Sequence, residues 1–294
     1  MRITSQMLRL AVFAIAALLC TTLRAAQPPA NVLFEKDVVY GKVGDVELKL
    51  NISRPKDAAG VLPCIVVIHG GGWAAGDRAG HDNITWMFAQ RGYVCTTVGY
   101  RFAPKYPFPA QVQDVKCAVR FLRANAEKYH IDPKRFGAVG FSAGAHLSMM
   151  LGTMDKEDGL DDSGGWEGQS SKVQAVVSYF GPTDLTAEYP PASRDIVRTW
   201  IGGTMQEKMD AYKKASPITY VNPGDAPMLL FQGTKDVLVP YQQAIVMIEA
   251  MTKAGIPGRA ELIAGANHGW GGEEMARTAR ETNEFFAKYL KAAE

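Results

Sequence analysis

The predicted strands show two patterns of apolar residues, one alternating and one continuous. Residues 46–54 alternate apolar and polar side chains, and residues 32–40 precede them across a turn-rich link. This pattern is typical of an antiparallel pair at the edge of a sheet, with one face in solvent. Residues 63–70 and 93–100 are nearly continuous apolar runs, which are typical of strands buried on both faces. They predict a parallel sheet beyond the edge pair.

Helical periodicity separates the later apolar runs. Apolar side chains recur at helical spacing over residues 114–128, and Asp132-Pro133 then predicts a short helical or turn start. Further helices are predicted at 143–154, 241–254 and 273–290, and further strands at 136–141, 173–180, 228–232 and 260–263. This alternation predicts an α/β fold, with a mostly parallel sheet of about eight strands covered by helices on both faces.

Two segments interrupt the alternation of strands and helices. Residues 155–172 are acidic and rich in glycine, but the carboxylates at 155–162 are not spaced as in an EF-hand loop, so a solvated loop is favoured over a calcium site. Residues 182–225 are long and contain buried-type aromatic residues. Two interpretations of this second segment are open: a small cap over the strand ends, or a connection made of short helices.

The first 25 residues have the pattern of a secretory signal peptide, with a basic start followed by an apolar stretch. The apolar run from Leu10 to Cys20 is shorter than the about 20 residues that span a bilayer. We expect cleavage near Ala25, an exported protein that is periplasmic or extracellular, and no stable membrane anchor after cleavage. Residues 26–294 are then one catalytic domain.

Charge and cysteine usage narrow the classes of partner. Lys and Arg number 32 and Asp and Glu 30, interspersed along the chain, so no basic stripe points to nucleic acid. Small-molecule or polymer-linked substrates are favoured, and the oligomeric state is open. Cys64, Cys95 and Cys117 lie in apolar runs and are interpreted as buried thiols, although a bridge between Cys64 and Cys95 is not excluded by the pattern.

The candidate nucleophile is Ser142, the central residue of Gly140-Phe-Ser-Ala-Gly144. Two glycines remove side chains where a strand turns abruptly into a helix, so the serine hydroxyl can be exposed on a strained turn. An alcohol needs a base to accept its proton. Among the five histidines, His268 follows the last predicted strand, where an open α/β sheet collects its reactive groups.

The base in turn needs a carboxylate that fixes its tautomer. Asp236 follows the strand at 228–232, which gives the chain order Ser, Asp, His. Asp184 and Asp225 are rival carboxylates, of which Asp184 is the second choice because it follows the preceding strand.

His69-Gly-Gly-Gly-Trp73 follows the first predicted parallel strand and supplies backbone without side chains. The N–H groups of Gly71, Gly72 and Ala143 are predicted to form an oxyanion hole. Trp73 has two open interpretations, lining the substrate pocket or ordinary packing.

These motifs together resemble the α/β-hydrolase family, in the branch similar to hormone-sensitive lipase and to bacterial feruloyl and acetylxylan esterases. The resemblance extends over residues 63–269 and is carried by His69-Gly-Gly-Gly-Trp73, Tyr100-Arg-Phe-Ala-Pro104, Gly140-Phe-Ser-Ala-Gly144, Gly181-Pro-Thr-Asp-Leu185, Asp236 and His268-Gly269. It implies hydrolysis of carboxylic esters through an acyl group on Ser142, without a cofactor. Arg101 and Asp114 belong to the matching stretch and are expected to form a structural ion pair.

The sequence therefore predicts an exported serine carboxylesterase for short acyl or aromatic-acid esters, including acetyl or feruloyl esters on polysaccharides. An amidase, peptidase or formamidase of the same fold is the alternative enzyme. A hydrolase-like binding protein without activity is the alternative of another class. It is disfavoured because Ser142, Asp236, His268 and the oxyanion glycines are all present.

Overall fold

The computed structural model describes residues 27–291, so the predicted signal peptide lies outside the described residues. The strands are β1 Val32–Val43, β2 Val46–Pro55, β3 Leu62–Ile68, β4 Val94–Val98, β5 Ile131–Phe141, β6 Ala175–Tyr179, β7 Met228–Gly233 and β8 Gly258–Ile263. The helices are α1 Asp82–Ala89, α2 Ala110–Ala124, α3 Ala126–Tyr129, α4 Ala143–Thr153, α5 Pro191–Ile201, α6 Met209–Lys214, α7 Gln242–Lys253 and α8 Gly272–Leu290, with 3-10 turns at Arg78–His81 and Pro217–Tyr220.

All eight strands form one sheet in the order β1-β2-β4-β3-β5-β6-β7-β8. The pairs β1–β2 and β2–β4 are antiparallel, and every pair from β4–β3 to β7–β8 is parallel. The predicted α/β fold and the predicted antiparallel edge pair are therefore confirmed. Because the six parallel strands point the same way, the loops after them collect at one edge of the sheet.

Hydrophobic cores lie on both faces of the sheet. The consecutive β3 residues Val66 and Val67 point to opposite faces, because side chains alternate along a strand. Val66 belongs to the larger core, together with Leu147 of α4, whereas Val67 belongs to the smaller core, together with Phe88 of α1 and Phe286 of α8. Both faces of β3 and β4 are thus covered, as their continuous apolar sequence predicts.

One prediction is wrong at the start of β5. Asp132 and Pro133, interpreted from sequence as a short helical or turn start, lie within the strand. Leu62 of β3 pairs with Ile131, whereas Cys64, two residues on, pairs with Phe136, so the intervening residues of β5 form an irregular, bulged stretch. Asp132 accepts a hydrogen bond from the backbone N–H of Lys134 there, 2.9 Å away. Asp132 and Pro133 therefore interrupt the regular strand, but they do so within the bulge of β5 and do not start a helix.

The segment 182–225 folds into α5, α6 and the 3-10 turn Pro217–Tyr220. Trp200 of α5 is fully buried, and its Nε1–H donates to Oε1 of Gln111 on α2, 2.7 Å away. The backbone N–H of Phe108 also donates to the carbonyl of Trp200 at 2.9 Å. The insertion is therefore packed against the main domain.

Buried ion pairs fix two loops. Arg101 donates to Asp114 at 2.7 Å, and the Asp114 side chain is fully buried, which confirms the expected structural pair. In the acidic loop, Asp161 pairs with Lys116 at 2.9 Å and with Arg120 at 2.7 Å. One of the loop's carboxylates therefore neutralises two cations of α2.

Cys64, Cys95 and Cys117 are buried free thiols. Within residues 27–291, the helices are too short or too polar to cross a membrane.

Candidate active site

Ser142 lies at the turn between β5 and α4, with backbone angles φ 53° and ψ −119°. Only a few per cent of non-glycine residues have a positive φ, and at functional sites such strain is held by the surrounding structure. A Cβ on Gly140 would overlap the carbonyl oxygen of Gly144, and a Cβ on Gly144 would overlap the carbonyl oxygen of Ile68. Both positions therefore require glycine, as the predicted elbow does.

Three of the predicted site residues form one chain of hydrogen bonds. Ser142 Oγ lies 2.8 Å from Nε2 of His268, and Nδ1 of His268 lies 2.7 Å from Oδ2 of Asp236. The Asp236 side chain is fully buried, whereas the His268 side chain is 18% exposed. The arrangement places a base between the hydroxyl and a carboxylate shielded from solvent.

The Asp236 carboxylate is held from four sides. Its Oδ1 accepts the backbone N–H groups of Leu238 at 2.8 Å and Val239 at 2.9 Å. Its Oδ2 accepts the side-chain amide of Gln232 at 2.8 Å as well as Nδ1 of His268. Hydrogen bonds to a carboxylate favour its charged form and fix its direction. Gln232 is a positioning residue that sequence reasoning missed.

The rival carboxylates are engaged elsewhere. Asp184 Oδ1 accepts from the backbone N–H of Thr186 at 2.9 Å and from its hydroxyl at 2.6 Å. Asp225 precedes β7 and pairs with Lys172 at 3.4 Å, so it lies at the opposite edge of the sheet from the loop after β7. Neither contacts His268 in the described part of the chain.

Asn267 joins the loops that carry the acid and the base. Its Oδ1 accepts the backbone N–H of Val237 at 3.1 Å and that of His268 at 2.8 Å. The loop after β7 is thereby connected to the loop after β8. No sequence motif pointed to this role, because it depends on a contact across 30 residues.

The glycine loop after β3 lies beside the elbow. Gly71 and Gly72 have φ angles of 114° and 58°, and a Cβ on Gly71 would overlap the carbonyl oxygen of Ala75. Within the described residues, the N–H groups of Gly71, Gly72 and Ala143 donate no hydrogen bond to protein. Three unused donors next to the nucleophile are what an oxyanion hole requires.

Trp73 borders the pocket but is only 3% exposed. Its ring stacks on Trp200, with centroids 4.0 Å apart and planes 6° apart. Its Nε1–H donates to Nδ1 of His146 at 3.3 Å, and Nε2 of His146 lies 2.6 Å from the carbonyl of Ala215. The ring therefore supports the glycine loop after β3 and connects it to the insertion.

Burial lowers the pKa of His146 to about 4, although the hydrogen bond to the Ala215 carbonyl opposes this shift. The imidazole is neutral at pH 7, with its proton on Nε2. This is the tautomer in which Nδ1 accepts from Trp73.

A pocket of about 300 Å³ opens above Ser142. Most of its lining is apolar. The residues that line it are Gly70, Gly71, Gly72, Trp73, His81, Phe141, Ser142, Ala143, Phe180, Pro182, Tyr189, Ser193, Ile196, Val197, Leu238, Val239 and His268. Seven of these, from Pro182 to Val239, come from the insertion or from the loop that carries Asp236. A small apolar pocket with few polar groups is typical of a small-ligand site.

His81 is a second histidine in this pocket. Its ring lies 4.9 Å from that of Phe141, and its Nδ1 is buried without a hydrogen-bond partner in the described chain. Burial lowers its pKa, with a smaller effect from the nearby His69. His69 itself stacks on Tyr100 at 4.4 Å, and its Nδ1 lies 2.7 Å from the carbonyl of Gly70. These two histidines shape the loop and the pocket wall.

The parallel sheet, the strained elbow after β5 and the His and Asp loops at the same edge define the α/β-hydrolase fold. The comparisons with known proteins then identify the branch. The chain belongs to the family whose model is described as BD-FAE, which matches residues 50–251.

Several named relatives of the chain are esterases. The chain is 32% identical over 251 residues to "Esterase LipC" of Mycobacterium tuberculosis, an alignment that covers 82% of this chain and 61% of the relative. Among the first curated relatives, the chain spans about half to three fifths of their length.

Solved structures agree with this assignment. The chain matches esterase Est2 of Thermogutta terrifontis with bound propionate at a TM-score of 0.74 and 27% identity, covering 90% of this chain and 97% of that one. It matches a truncated carbohydrate esterase from gut microbiota at a TM-score of 0.75 and 26% identity, covering 89% and 100%. The predicted resemblance to α/β-hydrolase carboxylesterases is confirmed.

Proposed function

We propose that this protein is a serine carboxylesterase that hydrolyses short-chain acyl or aromatic-acid esters. The observation that carries the proposal is the continuous chain of hydrogen bonds from Ser142 Oγ through His268 to Asp236, at distances of 2.8 and 2.7 Å. A nucleophile, a base and a group that orients the base are thus within hydrogen-bonding distance before substrate binds.

Acylation follows from this geometry. Ser142 Oγ attacks the ester carbonyl carbon while its proton passes to Nε2 of His268, and Asp236 stabilises the resulting imidazolium. The carbonyl oxygen becomes an oxyanion that accepts from the N–H groups of Gly71, Gly72 and Ala143. When the carbon–oxygen bond breaks, Nε2–H of His268 protonates the leaving alkoxide, and the acyl group stays on Ser142.

Deacylation repeats the same steps with water. His268 accepts a proton from a water molecule whose oxygen attacks the acyl carbon, and the oxyanion forms at the same donors. Collapse of this intermediate breaks the bond to Ser142 Oγ, which regains its proton from His268. A carboxylic acid leaves, and the protein returns to its starting state without a cofactor.

The size and lining of the pocket support the proposed substrate class. About 300 Å³ of largely apolar space accommodates a short aliphatic or single-ring acyl group. Among the similar structures, Est2 is described with propionate and with butyrate bound, and another is a carbohydrate esterase. A segment of "Endo-1,4-beta-xylanase B" of Butyrivibrio fibrisolvens is also similar, at 28% identity over 197 residues that cover 66% of this chain and 30% of that protein. These similarities support acetyl or feruloyl esters of polysaccharides as natural substrates.

Export is part of the proposal and depends on the sequence of the first 25 residues. A substrate attached to a polysaccharide lies outside the cytoplasm, so the proposed leader and the proposed substrate agree. Mass spectrometry of the protein recovered from the periplasm or the medium tests this point: a mature chain that begins near Ala26 supports it, and retention of the leader contradicts it.

Ser142→Ala tests the activity directly. The variant is expected to lose hydrolysis of p-nitrophenyl acetate and butyrate, and to lose labelling by a fluorophosphonate probe, with an unchanged circular dichroism spectrum. Ser148→Ala is a matched control, because Ser148 lies six residues further along the same helix and its hydroxyl donates to the carbonyl of Gly144. Undiminished turnover by Ser142→Ala would contradict the proposal. A panel of the matching anilides then separates an esterase from an amidase.

A further inference from the structure

The active-site pocket has a neighbouring cavity that shares part of its wall. This outer cavity has a volume of about 330 Å³ and lies between the start of the insertion, helix α5 and Tyr212 of α6. Tyr189 and Val197 line both the outer cavity and the active-site pocket. The two spaces are therefore separated by these two side chains.

Tyr189 is the larger part of this partition. The residue is only 7% exposed, and its hydroxyl is buried without a hydrogen-bond partner among the described residues. A buried hydroxyl without a partner destabilises the folded state by about 1–3 kcal/mol relative to a satisfied one. Phenylalanine would fill the same space without that cost. It is the aromatic ring, which a phenylalanine would also supply, that lies between the two cavities.

The position of the leaving group decides which part of an ester meets this partition. The leaving oxygen must face Nε2 of His268 in order to receive its proton. The His268 ring packs on Phe180, with centroids 4.7 Å apart, so the alcohol part lies on the Phe180 side. Phe180 packs against the smaller core, whereas Tyr189 and Val197 belong to the larger core on the other face of the sheet.

The acyl group lies on the other side of the reacting carbon from the alcohol part. It extends past residues 69–73, the glycine loop that carries proposed oxyanion donors and is called the oxyanion loop below. Helix α5 covers that loop, because a Cβ on Gly72 would lie 2.9 Å from Cγ2 of Ile196. Val197 is the next residue of the same helix, so an acyl chain that extends along this wall reaches Val197 and Tyr189.

From this arrangement we infer that Tyr189 sets the acyl-length limit of the enzyme by closing the active-site pocket against the outer cavity. The inference rests on the proposed esterase function and adds the residue that determines specificity. With the ring in place, acyl groups are confined to about 300 Å³, and without it the combined space accepts several more methylene groups. Arg194, Asp195 and Arg198 also line the outer cavity, and Arg198 pairs with Asp195 at 3.9 Å.

Tyr189→Ala tests the inference on a series of p-nitrophenyl esters from acetate to octanoate. Each methylene group that moves from water into apolar surroundings contributes about fourfold to binding. The ratio of kcat/KM for octanoate to that for acetate is therefore expected to rise at least about tenfold. Tyr189→Phe is the matched control, because it keeps the ring and is expected to leave the ratio unchanged.

Two further variants complete the test. Tyr189→Leu retains apolar volume but removes the ring, so it is expected to give a smaller rise in the same ratio. This variant replaces Tyr189→Ala as the test if Tyr189→Ala fails to fold. Ala187 lines only the outer cavity, so Ala187→Phe added to Tyr189→Ala is expected to restore the preference for acetate. A series of alkyl acetates of increasing alcohol length is expected to show no comparable change, and a change confined to that series would overturn the assignment to the acyl side.

A binding measurement separates this inference from the proposed function. Calorimetric titration of octanoate into Ser142→Ala/Tyr189→Ala is expected to give at least about tenfold tighter binding than titration into Ser142→Ala alone. If the wild-type protein hydrolyses no ester, the proposed function fails while this titration still tests the cavity. If esters are hydrolysed but neither the octanoate ratio nor the octanoate affinity changes in folded Tyr189 variants, the inference is overturned.

Discussion

The side-chain oxygen of Asn267 accepts a hydrogen bond from the backbone N–H of Val237, 3.1 Å away, and thereby joins the loop that carries Asp236 to the loop that carries His268. The same oxygen accepts from the N–H of His268 at 2.8 Å. Asn267 thus helps to hold Asp236 and His268 at their separation.

Asn267→Ala is expected to lower kcat about tenfold and to leave KM nearly unchanged, because the imidazole is no longer held at the attacking distance. Steady-state kinetics on p-nitrophenyl acetate measure both constants. Asn267→Asp keeps an acceptor oxygen and is expected to retain most of the activity. Equal losses in both variants would show that the oxygen is not the important group.

The choice between Asp236 and Asp184 gives a paired test. Asp236→Asn is expected to lower kcat by about 10⁴, because the amide favours the wrong tautomer of His268. Asp184→Asn is expected to retain nearly full activity, because the Asp184 carboxylate contacts Thr186 rather than the histidine. Reversed effects would move the acid to the loop after β6.

The elbow glycine Gly144 predicts an effect on stability. Gly144→Ala forces a methyl group onto the carbonyl oxygens of Ile68 and His69, and is expected to lower the free energy of unfolding by about 3 kcal/mol or more. Gly80→Ala is the control, because a Cβ on Gly80 has no atom within 4 Å, and its effect is expected to stay within about 0.5 kcal/mol. Urea unfolding measures both, and a wild-type midpoint for Gly144→Ala would contradict the close approach.

His146 predicts a pH dependence of stability. Its pKa is about 4 when folded, against 6.5 for an unperturbed histidine, so the unfolded chain binds more protons between these values. The stabilisation is fully present above pH 6.5 and is lost as the pH falls, by about 3 kcal/mol at pH 4. His146→Gln is expected to remove this part of the slope in urea unfolding between pH 7 and 4.5. An unchanged slope would show that His146 is not the responsible group.

The candidate site residues could be predicted because each follows a local rule. Ser142 needs flanking glycines, and Asp236 and His268 each follow a predicted strand. Backbone geometry and chain order carry this information within a few residues of each site.

The residues that support the site could not be predicted, because their roles arise only from tertiary contacts. Gln232 and Asn267 are ordinary polar residues in sequence, and Tyr189 reads as one aromatic residue of an insertion. Helix α1 escaped prediction for a similar reason. Its segment Asp82-Asn-Ile-Thr-Trp-Met-Phe-Ala89 contains few strong helix formers, and the helix is held by packing and by the hydroxyl of Thr85, 2.6 Å from that of Ser53.

The stacked indoles of Trp73 and Trp200 give the protein an internal optical reporter. One ring belongs to the oxyanion loop and the other to helix α5, and His146 lies edge-on to both. Any movement that lifts the helix from the loop separates two aromatic chromophores and admits water to both. Tryptophan fluorescence of the unlabelled protein can therefore report whether helix α5 stays packed against this loop during substrate binding. No added probe would disturb the pocket.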